Sequence, residues 1–173
     1  RRLIARGDVR DVLIAMGGGA GSDDAREAIA HAMWWIAGTE CETGHRVMAN
    51  GEVRDVLVAM GRDAGSDDVI ESVCGAIFAV ATVPAGQAVM ASDAVRDVLV
   101  AIGATEHARH HTAQAISNIT RCNAGRRVMA TVEVREMLAR LGRLAGSDEA
   151  RRRIAAAMCN VALHTPTAPA PPE

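Results

Sequence analysis

Val53-Arg54-Asp55-Val56-Leu57-Val58-Ala59-Met60-Gly61 decides the fold, because the chain repeats it. It returns as Val9-Arg10-Asp11-Val12-Leu13, as Val95-Arg96-Asp97-Val98-Leu99, and more loosely as Val134-Arg135-Glu136-Met137-Leu138. Successive starts lie 44, 42 and 39 residues apart. A Gly-Ser-Asp follows at Gly21, Gly65 and Gly146. Ahead of the later copies runs Arg46-Val47-Met48-Ala49, Ala88-Val89-Met90-Ala91 and Arg127-Val128-Met129-Ala130, with Arg2-Leu3-Ile4-Ala5 as the first instance. Self-similarity at such a period marks stacked helical units, none of which can bury its apolar face alone.

Each unit reads as three helices. A short first helix surrounds the Val-Met-Ala piece. The second carries apolar residues at i, i+3, i+4 and i+7, as in Val53, Val56, Leu57 and Met60. Gly17, Gly61, Gly103 and Gly142 follow where a helix C-terminus is expected. The third helix opens at Ser22, Ser66, Thr105 and Ser147, hydroxyl residues suited to an N-cap. Indexed on Trp35, Ala79, Asn118 and Asn160, the third helices align in columns. Ala32, Ala76, Ala115 and Ala157 stand three residues earlier, and Met33, Ile77, Ile116 and Met158 two earlier. Ile36, Val80, Ile119 and Val161 stand one later. The small column lets helices approach, and the larger ones are expected to fill the space between units, with Ile116 and Met158 both buried.

Composition agrees. Of 173 residues, 49% are apolar and only 2% aromatic, which favours closely packed helices over a sandwich or barrel. A formal charge of −2 excludes a broad nucleic-acid footprint. No apolar run is long enough to span a membrane, and the N-terminus lacks a signal-peptide core. The chain is therefore expected inside the cell, in the cytoplasm with the nucleus also open. It opens at Arg1 rather than Met, which reads as a piece of a longer protein. Cys41, Cys74, Cys122 and Cys159 are widely spaced and expected to be reduced, with Cys74 and Cys159 buried in apolar helices.

The three-helix unit, with Gly before the first helix and Ala113-Gln114-Ala115-Ile116-Ser117-Asn118-Ile119 closing the third, resembles the armadillo repeat. Ala155-Ala156-Ala157-Met158-Cys159-Asn160-Val161 is a weaker copy. The resemblance implies an all-α, right-handed superhelical solenoid over residues 1–164, with approximate repeats 1–43, 44–85, 86–124 and 125–164. A Pro/Ala-rich tail, 165–173, follows.

The resemblance also implies a protein or peptide partner, held extended in a concave groove lined by third helices. Asn118 and Asn160 match the family's backbone-gripping Asn, since an amide both donates and accepts. The ladder is partial, because Trp35 and Ala79 fill the equivalent places in the first two copies. His31, Gly75, Gln114 and Ala156 stand where importins carry Trp, so a nuclear signal is not the expected ligand. The candidate peptide-binding residues are Trp35, His111, Gln114, Asn118, Arg153 and Asn160. Trp34 is expected to point to the side of the layer. His107, His111, Gln114 and Asn118 read as a polar stripe at helical spacing. Charging of His111 would favour an acidic ligand as the pH falls through about 6.5.

His107 and His111 lack further clustered ligands, so no metal or other cofactor is expected. There is no Gly-x-Ser-x-Gly, phosphate loop or His-Glu-x-x-His, and no catalysis is expected. The competing reading is self-association or repeat stacking, within a larger assembly, a longer solenoid, or a homo-oligomer joined through its end repeats.

Overall fold

The computed structural model describes residues 7–38 and 42–162. The expected first helix around Arg2–Ala5, Cys41 and the tail 165–173 lie outside the described residues. The described residues form eleven α-helices and no strand. The first unit contributes α1 (Gly7–Gly18) and α2 (Asp23–Gly38). The second contains α3 (Glu42–Met48), α4 (Gly51–Arg62) and α5 (Asp67–Val80). The third contains α6 (Pro84–Met90), α7 (Asp93–Ile102) and α8 (Arg109–Ile119). The fourth contains α9 (Asn123–Met129), α10 (Val132–Leu144) and α11 (Asp148–Ala162). Each unit packs on the next, so that α1, α4, α7 and α10 form one layer and α2, α5, α8 and α11 another. Contact is most extensive between α2 and α5, and the third-helix layer is the more tightly drawn.

The caps expected from the sequence form at most junctions. Ser22, Ser66 and Ser147 accept hydrogen bonds from the N–H groups of Ala25, Val69 and Ala150 at 3.2–3.4 Å. The aspartates that follow sit at the positive end of each helix dipole. Copy three departs from the pattern. Thr105 Oγ1 accepts from Ala108 N–H, but α8 begins only at Arg109. His107 therefore precedes the helix and does not extend the stripe formed by His111, Gln114 and Asn118.

The glycines after the second-helix motif do a different job from the one expected. Gly17, Gly61 and Gly142 lie inside their helices, only Gly103 is a C-cap, and no described residue has positive φ. Missing side chains at Gly17 and Gly61 make room for the neighbouring unit. A Cβ on Gly17 would collide with Val56 Cγ1, and one on Gly61 would stand 2.6 Å from Val98 Cγ1. At the first two junctions the valine of the second helix thus enters a socket left by glycine in the unit before it, whereas Gly103 is crowded by Leu99 and Thr112 of its own unit.

One continuous core runs through all four units. Met33, Ile77 and Ile116 are fully buried, as the column argument requires, but Met158 is 39% exposed. The column itself is sound. It faces the following unit, and no described residue follows α11 to cover it. Val161, three residues on, faces its own unit and is buried with Ile36, Val80 and Ile119. Cys159 is likewise exposed, not buried, while Cys74 is buried. Cys74 Sγ accepts a hydrogen bond from Thr112 Oγ1 at 3.5 Å, and burial pushes its thiol pKa up to about 12. Cys122 Sγ accepts from Gly125 N–H and caps α9, and all three described thiols are free.

Candidate functional site

The inner surface begins at the aromatic end. Trp34, on α2, is half-buried and lies across α5, where a Cβ on Gly75 would stand 2.7 Å from its ring. It reaches His111 on α8, with ring centroids 4.6 Å apart in an edge-to-face arrangement. Phe78 stacks near the same imidazole at 6.0 Å. Trp34 is therefore a groove residue, contrary to the expectation that it points to the side. The small residue at Gly75 is what lets the ring turn inward. Trp35 instead stands 66% exposed at the open end of the layer, where its Nε1 donates to His31 Nε2 at 2.8 Å.

His111 is half-buried, with its side chain 14% exposed. Its Nε2 lies 3.9 Å from Glu71 Oε1, and its buried Nδ1 has no hydrogen-bond partner. Burial lowers its pKa below the ordinary value, His110 and Arg153 act the same way, and Glu71 and Gln114 oppose them. Charging is thus deferred to a pH below about 6.5. An unfolded chain takes up that proton more readily than the folded one, so stability is complete above pH 6.5 and falls as the pH drops below it. The melting temperature should decline as the pH falls from about 6.5 to 5.5, and His111→Gln should flatten that decline. An equal slope in the variant would assign the pH response to other groups.

Beyond His111 the groove opens into a depression of about 560 Å³ between α5, α8 and α11. Gln114, Asn118 and Arg153 share its lining with Phe78, Ser117 and Arg121. Arg153 is held by Glu149, its Nε donating to Oε1 at 2.7 Å. Asn160 is half-buried farther along α11 and does not line this depression, and Trp35 belongs to a separate recess with His31, Trp34 and Gly38. The six candidates therefore divide into a central group, one residue at each end, and His111 between the depression and the aromatic end.

Sequence reasoning missed Phe78, Ser117, Arg121 and Arg152 in the lining. Phe78 and Ser117 occupy the column one residue before the Asn index, the same column as Trp34. A helical wheel admits both adjacent columns to a groove wall, and only the curvature of the array selects between them. Among the described residues, no group of three or more His, Cys, Asp or Glu is placed to hold a metal. No described helix is long and apolar enough to cross a membrane.

These features define an armadillo-like repeat fold with an open, polar inner groove. A designed armadillo repeat protein has a similar structure, with a TM-score of 0.72 at 20% identity. The match covers 86% of this chain and 63% of that one. No known protein-family profile matches the chain, and no curated protein does. At this identity the likeness establishes the fold. The fold alone does not fix a function, which resides in the site grafted on it.

Proposed function

We propose that this protein is an interaction module that holds an extended segment of a partner protein along its third helices. The observation that carries the reading is the pairing of Gln114 and Asn118 in one open depression with Arg121, Arg152 and Arg153. The amides offer donors and acceptors to a peptide backbone, and the guanidinium groups favour acidic side chains on it. Trp34 and Trp35 add apolar area toward the first unit, where aromatic anchors contribute most to affinity. Binding of this kind needs no cofactor and no chemistry. Free thiols at Cys74, Cys122 and Cys159 support a reducing compartment inside the cell, in the cytoplasm or nucleus.

The test begins with a displayed library of random linear peptides, selected on the folded chain and titrated by calorimetry. Asn118→Ala should weaken a selected peptide by about 0.5–1.5 kcal/mol, the net value of one hydrogen bond. Asn160→Ala should do the same for peptides long enough to reach α11, and the double variant should lose more. Circular dichroism should show both variants folded. Selected peptides that bind the double variant as tightly as the original would overturn the reading.

A further inference from the structure

The large apolar side chains that stand exposed among the described residues belong to the two end units alone: Val12, Met16 and Trp35 at one end, Val132, Leu144 and Met158 at the other. Several of them are members of columns that the inner units bury. Val12 is 57% exposed, whereas its equivalents Val98 and Met137 are buried and Val56 half-buried. Met16 is 54% exposed, whereas Met60 and Leu141 are buried. On the opposite end Met158 is open where Met33, Ile77 and Ile116 are closed, and Ala155 is open where Ala30, Cys74 and Ala113 are closed.

The sockets are unfilled in the same way. Val56 enters at Gly17 and Val98 at Gly61, yet a Cβ on Gly142 would meet only Ile154 of its own unit, at 3.7 Å. Among the described residues the first unit therefore carries a valine knob without a socket, and the last a glycine socket without a knob. A polar link between units forms at the first junction. Asp23 Oδ1 pairs with Arg26 at 2.9 Å and accepts from Gly65 N–H of the next unit at 3.3 Å. Asp148 pairs with Arg151 at 2.8 Å in the same register, and nothing lies within 4 Å of a Cβ built on Gly21, the equivalent of Gly65.

Side-chain sizes complete the match. At the junction of units one and two, large Trp34 faces small Gly75, with Ala79 one turn beyond. A first unit stacked on the last in the same register would invert the order, setting small Cys159 against large His31 and Trp35.

We propose that the occupant of the exposed last-unit face is the first unit of a second copy of this chain. Copies then join head to tail, with Val12 of one entering at Gly142 of the other and Asp148 accepting from Gly21 N–H. The two faces differ, so the contact is heterologous. A contact of that type leaves a free face on each end of every assembly and continues into longer chains unless the rotation closes a ring. Continuing apolar columns across the junction supplies the attraction that covers these patches.

Light scattering on the full chain, at concentrations up to about 1 mM, tests it. Mass should climb with concentration past that of two chains, starting from the single-chain 18.1 kDa. Val12→Asp blocks the leading face and Met158→Asp the trailing face. Both positions are exposed, so each variant should keep the original helical signal and melting temperature. Each alone should remain at single-chain mass. Mixed in equal amounts they should form pairs and nothing larger, because one supplies an intact trailing face and the other an intact leading face. Asn118→Ala should leave association unchanged, which separates this contact from the groove. A chain that stays single throughout, variants that associate like the original, or a mixture with no pairs would each overturn the proposal. The first of these results would assign the two faces to the chain's own terminal residues or to a different protein.

Discussion

Replacing Ile116 with Ala should lower the free energy of unfolding by about 2–5 kcal/mol, as removal of a large aliphatic group from a packed interior does. Ile116 is fully buried in the column that also holds Met33 and Ile77, facing the fourth unit. Its loss leaves a cavity between α8 and α11 that the surrounding helices fill only in part. Met158 occupies the same column and should behave differently. Being 39% exposed on the outer face of α11, it should lose less than about 1 kcal/mol on truncation to Ala in solutions dilute enough to keep the chain single, the scale of a surface site with limited contacts. Urea denaturation of the two variants measures both values. Equal losses at the two positions would mean that the last unit is covered by something in solution. Equally small losses would place the column outside the core.

A second large effect is expected at Gly125. A Cβ there would collide with the carbonyl oxygen of Ile119 at the end of α8, and Gly86 stands in the same relation to the carbonyl of Val80 at the end of α5. These glycines let α6 and α9 turn tightly against the third helix before each of them. The obstructing atom is backbone, which no rotamer change can move away. Gly125→Ala should therefore cost about 3 kcal/mol or more, at the upper end of overpacking losses. Gly146→Ala is the control, because nothing lies within 4 Å of its added methyl and its φ is not positive. It should be neutral or raise stability by up to about 1 kcal/mol through the unfolded chain. Thermal melts of the two variants give the comparison, and similar melting temperatures would refute the packing argument.

The fold was legible because it is written four times. Val9, Val53, Val95 and Val134 set the register, and the buried columns of the third helices follow from helical periodicity within it. Caps at Ser22, Ser66 and Ser147 were legible for a local reason, since a hydroxyl three residues before an N–H satisfies it without reference to anything distant. The groove was legible in part. Gln114, Asn118 and Arg153 do meet in one depression, whereas Trp34, taken for a side-facing residue, turns inward over Gly75.

Sequence alone thus determined the repeat, its three-helix division and the faces each helix buries, all of which depend on contacts a few residues apart. Tertiary structure decided what depends on a neighbour. Gly17 and Gly61 read as helix ends but serve as sockets for valines more than thirty residues away. His107 left the polar stripe because the third copy's longer connection from α7 delays the start of α8 to Arg109. Met158 kept the residue type of a core column and lost its burial, because a periodic sequence specifies which face seeks a partner, whereas only the stacked array determines whether one stands there.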